Sequence, residues 1–121
     1  MEIHESGEMY LESILVLQEK QGAVRSIDIV NHTGYSKPSI SRAVGLLRRD
    51  GFINVDADGY ITLTEAGQTH AVKIYERHRV LSNFLLRIGV SEETASKDAC
   101  KIEHVISDET FEAIKKHANM N

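Results

Sequence analysis

The sequence predicts a mainly α-helical protein that carries one small β-hairpin. Over most of the 121 residues, apolar side chains recur at intervals of three and four, which is the period of an amphipathic helix. Only Phe52 to Val55 and Tyr60 to Leu63 alternate between apolar and polar residues as strands do. The Asp58-Gly59 pair between these two runs favours a tight hairpin turn.

Three helices are predicted before the hairpin, at about residues 5–20, 27–32 and 37–50. Each is bounded by a residue that caps or stops helices. Ser26 and Ser36 are the expected N-caps of the second and third helices, and Pro38 fits the first turn of the third. The expected stops are glycines, namely Gly22, Gly34 and Gly51.

Three further helices are predicted after the hairpin. Thr64 is the expected cap of a long helix from Glu65 to about Ile88, which Gly89 ends. Ser91 opens the fifth helix, and Ser107 opens a last one that reaches about Lys116. The order helix, helix, turn, helix, hairpin is that of a winged helix-turn-helix.

Positive charge is concentrated around the predicted turn unit. The chain has a net charge of −4, yet the window from Lys20 to Arg49 holds six basic residues and one acidic residue, so it carries +5 and the remainder −9. This pattern indicates either contact with phosphate or a solvated basic face. The single cysteine, the polar N-terminus and the lack of a long apolar run predict a cytoplasmic protein outside the membrane.

The third helix carries the residue types that read DNA. In a helix-turn-helix the second helix of the unit enters the major groove by its N-terminal residues. Hydroxyl groups and lysine suit phosphate oxygens, and arginine can donate two hydrogen bonds to guanine. Some winged helices bind protein instead. The predicted DNA-binding residues are Arg25, Ser36, Lys37, Ser39, Ser41, Arg42 and Arg49.

Cys100, Glu103 and His104 form a candidate metal site. Their i, i+3 and i+4 spacing predicts one face within a single turn of the fifth helix, with apolar residues such as Ala99 and Val105 on the opposite side. A thiolate, a carboxylate and an imidazole together suit a transition metal. From spacing alone the alternative is an exposed polar stripe.

Three segments give the chain a resemblance to the diphtheria toxin repressor and manganese transport regulator family. They are Glu8-Met9-Tyr10-Leu11-Glu12, Arg77-His78-Arg79, and the run from Asp98 to Asp108 that contains Cys100, Glu103 and His104. The resemblance implies a metal-activated transcriptional repressor that binds operator DNA as a homodimer. It also implies a winged helix-turn-helix DNA-binding domain at residues 1–64 and a helical dimerisation and metal-binding domain at residues 65–121.

The resemblance implies a set of six metal ligands, namely Met9, Glu12, His78, Cys100, Glu103 and His104. By spacing alone, His78 and Met9 are each expected to be core residues. Met9 and Cys100 match the iron-type members of the family, whereas Glu12 matches the manganese type. Because thioether and thiolate are soft ligands, we expect Fe(II) to be preferred, with Mn(II) second. A two-fold symmetric dimer predicts a palindromic operator.

Two alternatives to a metal-dependent repressor remain at this stage. One is a winged-helix regulator that senses oxidation through Cys100. The other is a metal-buffering or protein-interaction module whose winged helix does not read DNA. Catalysis is not expected, because the sequence has no zincin motif, phosphate-binding glycine loop or nucleophile elbow.

Overall fold

The structure is a computed structural model that describes residues 5–119. Within this range the helices are α1 (Glu5–Gln21), α2 (Ser26–Thr33), α3 (Lys37–Arg49), α4 (Glu65–Arg87), α5 (Glu92–Ile102) and α6 (Asp108–Asn119). The strands are β1 (Val24–Arg25), β2 (Ile53–Val55) and β3 (Tyr60–Leu63). The predicted fold class, mainly α-helical with a winged helix-turn-helix, is confirmed.

The chain divides into two compact units between Val72 and Lys73, within α4. The first unit contains α1 to α3, the sheet and the start of α4. The second contains the rest of α4 together with α5 and α6. The domain boundary after residue 64, which the sequence suggests, stays a prediction.

The wing of the first unit is a three-stranded antiparallel sheet in the order β1-β3-β2. Ile53 pairs with Leu63 across the hairpin, and Val24 of β1 pairs with Ile61 on the other edge of β3. One oxygen of the Asp56 carboxylate accepts the N–H groups of Asp58 and Tyr60, both at 2.9 Å, and so closes the loop. The hairpin is confirmed. The two-residue strand β1 was not predicted.

Of the two N-caps predicted for α2 and α3, the structure confirms the cap of α3 and contradicts the cap of α2. Ser36 caps α3, since its hydroxyl oxygen accepts the N–H of Ser39. The predicted cap of α2 by Ser26 is wrong, because Ser26 is already helical and Arg25 is the N-cap. The N–H of Arg25 donates to the Asp28 carboxylate at 2.8 Å, which supplies one half of a capping box.

The beginning of α4 packs closely on the wing. Thr64 donates through its hydroxyl to the carbonyl of Gly51 at 2.7 Å and accepts the N–H of Gly67 at 3.1 Å, so the predicted cap is confirmed. A Cβ atom built at Gly67 would lie 1.9 Å from the carbonyl oxygen of Phe52. Only a glycine at this position allows the helix and the wing to approach so closely.

The second unit has its own small core, in which Leu81 of α4, Ala99 of α5 and Phe111 of α6 are buried together. Helix α5 ends at Ile102, and Glu103 and His104 lie in the turn that follows it. The predicted arrangement of this segment is therefore wrong in one respect. Glu103 is fully buried and Val105 is 73% exposed, so these two residues do not lie on the faces that a continuous helix would give them.

No helix within residues 5–119 has the length and hydropathy needed to span a bilayer.

Candidate metal centre and DNA-binding face

Three of the six predicted metal ligands converge in the second unit. The Nδ1 atom of His78 on α4 lies 2.9 Å from Oε2 of Glu103 and 3.7 Å from Sγ of Cys100 on α5. One ligand atom from each of these residues lies within 4.8 Å of the other two. Such a distance places three donors around a common point, as a metal ion requires.

Glu103 is the most unusual member of this group, because a carboxylate is costly to bury without a charged partner. Its side chain is 1% exposed. Oε2 contacts His78, and Oε1 lies 3.2 Å from Nε2 of His104. The two oxygens of one buried carboxylate therefore face imidazole groups from α4 and from the turn after α5.

The electrostatics of the cluster favour a protonated His78 in the metal-free protein. Hydrogen bonds that the His78 ring donates to Cys100 and Glu103 raise its pKa to about 10, although partial burial acts in the opposite direction. An imidazolium ion cannot ligate a metal. The proton on Nδ1 must therefore leave before that nitrogen binds a cation, so metal and proton compete for one site.

The chemistry of the donors fits a divalent transition metal. Thiolate and imidazole are typical ligands of iron, cobalt, nickel and zinc, and a carboxylate adds the negative charge that a divalent cation needs. When bound, such an ion supplies the positive charge that His78 carries in its absence. Cys100 is exposed, so the cluster is open to solvent on that side.

Met9 and Glu12 lie on α1 in the first unit, where both side chains are partly buried. The hydroxyl of Tyr35 donates to the Met9 sulfur at 3.9 Å, and the Tyr35 ring packs edge-on against Tyr10. Tyr35 lies between α2 and α3, so a predicted ligand contacts the turn of the DNA-binding unit. The sequence did not predict this contact, because Met9 and Tyr35 are 26 residues apart and no pattern of nearby residues indicates it.

The predicted DNA-binding residues of α3 lie mostly on its surface. Lys37, Ser41 and Arg42 are exposed, whereas Ser39 is partly buried. The hydroxyl of Ser36 donates to that of Ser39 at 2.9 Å, so these two serines also organise the start of the helix. Helix α3 therefore presents two cations and a hydroxyl near its N-terminus, where such helices contact base edges.

The two remaining predicted DNA-binding arginines have partners within the protein. Arg49 is exposed and lies 3.2 Å from the Asp50 carboxylate. Arg25 is part of strand β1 of the wing, and its guanidinium group donates to the Asp58 carbonyl and lies 4.9 Å from the centre of the Tyr60 ring. The side chain of Arg25 is thus held on the hairpin of the wing.

Comparison with known families assigns both halves of the chain. Residues 2–60 match the iron dependent repressor, N-terminal DNA binding domain, and residues 64–120 match the iron dependent repressor, metal binding and dimerisation domain. An uncharacterized HTH-type transcriptional regulator of Methanocaldococcus jannaschii is 34% identical over 92% of this chain and 90% of its own length. The transcriptional regulator MntR of Escherichia coli is 35% identical over 88% of this chain and 68% of its own length.

Longer relatives match as well. The iron-dependent repressor IdeR of Mycobacterium tuberculosis is 31% identical over 98% of this chain. The solved structure of the manganese regulator SloR superposes with a TM-score of 0.85 at 26% identity and covers the whole of this chain. The chain spans about half the length of both, 52% of the former and 56% of the latter.

The fold and the donor set thus define a DNA-binding regulator that responds to a metal. The chain belongs to the diphtheria toxin repressor and manganese transport regulator family of metal-dependent transcriptional repressors. The resemblance seen in the sequence is confirmed, and the relatives are regulators rather than enzymes. The redox-sensing alternative gains no support from relatives whose names specify iron or manganese.

Proposed function

We propose that this chain is a transcriptional repressor of metal-homeostasis genes that binds its operator when loaded with Fe(II), with Mn(II) as the second candidate. The observation that carries the proposal is the cluster of His78, Cys100 and Glu103, whose donors lie within 4.8 Å of one another. The family of the chain and its exposed basic recognition helix support the DNA-binding part.

The proposed ligand set is that of the sequence prediction, namely Met9, Glu12, His78, Cys100, Glu103 and His104. The soft thiolate in the described cluster disfavours Mn(II) relative to Fe(II). Zinc would bind such donors more tightly than iron in general, so the proposal relies on the supply of metal in the cell to exclude it. The relatives include both an iron-dependent repressor and a manganese regulator.

The proposed DNA target is a palindromic operator bound by a homodimer in the cytoplasm. Two-fold symmetric readers place their recognition helices about 34 Å apart, one turn of DNA. In α3, Arg42 is proposed to contact a base and Lys37 a phosphate. Arg25 is proposed to contact the DNA backbone next to the wing. A coupling free energy of about 3 kcal/mol would make the metal-loaded dimer bind about 150-fold more tightly than the metal-free one.

The test is anaerobic retention of host genomic fragments by the purified protein with Fe(II), with Mn(II) or with chelator. The proposal expects specific fragments to be retained only with metal, and more strongly with Fe(II). The matched control is the Cys100→Ser variant, which keeps the recognition helix and removes the thiolate, one of the two soft ligands. Equal retention in chelator would refute metal activation, and equal retention with Fe(II) and Mn(II) would refute the metal preference.

A further inference from the structure

A buried arginine holds the turn that carries two of the proposed metal ligands. Arg77 lies on α4 immediately before His78, and only 7% of it is exposed. Its Nη1 atom donates to the carbonyl oxygen of Glu103 at 3.2 Å and to that of Ile106 at 2.9 Å. These two carbonyls flank His104 in the sequence. One guanidinium group therefore forms hydrogen bonds with the backbone on both sides of that residue.

The same side chain also reaches the next helix. Its Nη2 atom donates to the Asp108 carboxylate at the start of α6, and its guanidinium carbon lies 5.4 Å from the centre of the Phe111 ring. Lys73, one turn earlier on α4, lies 3.5 Å from the same carboxylate. The end of α5, the turn and the start of α6 are therefore all tied to one position of α4.

The hydrogen bonds of Arg77 lie next to the proposed metal ligands Glu103 and His104. Glu103 is the C-cap of α5, and a cation beside the C-terminal end of a helix is favourable. Because Arg77 and His78 are adjacent in α4, the same turn of helix supplies one ligand and fixes the backbone of Glu103.

We infer that Arg77 is a positioning residue of the metal centre, which sets where Glu103 and His104 present their ligand atoms. This inference rests on the proposed metal-binding function. Arg77 touches no metal in this role, and it acts through the backbone of the turn. Groups that orient metal ligands in this way typically change metal affinity by 10–100-fold when they are lost.

The test uses Co(II), which binds the same kinds of donor and reports its ligands by absorption. Wild type, Arg77→Met and Arg87→Met are titrated with Co(II) without oxygen, well below their unfolding temperatures. Arg87 is the matched control, because it also joins α4 to α6, donating to the Ala118 carbonyl at 2.7 Å, but does not touch the turn. The thiolate charge-transfer band follows Cys100, and the d–d bands follow the number and geometry of the other ligands.

We expect Arg77→Met to weaken Co(II) binding by at least tenfold and to change the d–d bands, while the thiolate band persists. Arg87→Met should bind as wild type does. Arg77→Lys keeps the positive charge but carries its donors on one nitrogen, which cannot occupy the positions of both Nη1 and Nη2, so it should show the same altered d–d bands. This conservative variant also decides the question if Arg77→Met does not fold.

Two different failures are distinguishable. If wild type binds no Co(II), the metal centre itself is refuted, and the role of Arg77 with it. If wild type binds Co(II) and the Arg77 variants match Arg87→Met in both affinity and spectrum, the metal centre stands and the positioning role of Arg77 is refuted.

Discussion

His78 and Glu103 are 25 residues apart in the sequence, yet the Nδ1 atom of the histidine lies 2.9 Å from a carboxylate oxygen of the glutamate. The glutamate is fully buried. In the metal-free protein, the imidazolium is the cation that balances this carboxylate on the side of α4. A bound metal ion would replace that proton with its own charge. The protonation of this pair therefore differs between the metal-free and the metal-loaded protein.

The first prediction concerns the stability of the metal-free protein. The pKa of His78 is about 10 in the folded chain, against 6.5 as its ordinary value. Because the folded protein holds this proton more tightly, the stabilisation is complete below about pH 6.5 and is lost as the pH rises towards 10. The free energy of unfolding, measured by urea denaturation in chelator, should therefore fall across this range.

The Glu103→Gln variant should lose part of that pH dependence, because one of the two groups that hold the proton loses its charge while Cys100 remains. The control is Glu76→Gln, which removes an exposed carboxylate of α4 that is paired with Lys115. A slope that is the same in wild type and Glu103→Gln would contradict the assigned pairing.

The second prediction concerns proton release. Ligation requires both the imidazole of His78 and the thiol of Cys100 to lose protons, so on the order of two protons should leave per metal ion at neutral pH. Calorimetric titration with Co(II) in buffers of different ionisation enthalpy measures this number directly. Affinity should fall as the pH is lowered. An unchanged affinity between pH 8 and pH 6 would show that neither group ligates.

The third prediction concerns metal preference. Replacing both soft donors by carboxylates, in Met9→Asp combined with Cys100→Glu, should shift the ratio of Fe(II) to Mn(II) affinity towards manganese, because hard oxygen ligands suit Mn(II). Competition between the two ions under anaerobic conditions measures the ratio. Thr94→Glu adds a carboxylate at an exposed position of α5 and should leave the ratio unchanged. No shift in the double variant would remove the soft-ligand argument for iron.

The fourth prediction compares two glycines in helices. Gly67→Ala places a methyl group 1.9 Å from the Phe52 carbonyl, so the wing or α4 must move, at a cost of about 1–3 kcal/mol in the free energy of unfolding. Of the described atoms, none lies within 4 Å of a Cβ built at Gly45 in α3. Gly45→Ala should therefore stabilise the protein by about 0.5–1 kcal/mol through helix propensity. Thermal unfolding of both variants checks the sign of each effect.

The fifth prediction concerns the recognition helix. Arg42→Ala should weaken operator binding by about 1–3 kcal/mol and relax the preference at one base pair, because arginine reads guanine by two hydrogen bonds. Arg48 is an exposed arginine of the same helix that points about 120° away from Arg42. Arg48→Ala should have the smaller effect in an operator titration at fixed salt. The reverse order would show that another face of α3 meets the DNA.

Local signals in the sequence account for much of the fold. The hairpin was predictable because alternating residues and an Asp-Gly turn depend on neighbours a few positions apart. The cap at Ser36 and the glycine stops have the same local origin. The cap of α2 was predicted wrongly although its signal is also local, because Ser26 has the commoner capping side chain while the bond from the Arg25 N–H to the Asp28 carboxylate makes Arg25 the N-cap. Strand β1 is too short to show any alternation, and only its pairing with β3 makes it a strand.

The candidate metal centre shows the same division. By itself, the sequence determined the winged helix-turn-helix, the family and the donor types, since each depends on residue identity and short spacing. Tertiary structure alone decided that α5 ends before Glu103, that this carboxylate is buried, and that His78 faces it from another helix. Burial and contact between distant segments depend on how helices pack, and the spacing within one helix carries no information about the element that will lie against it.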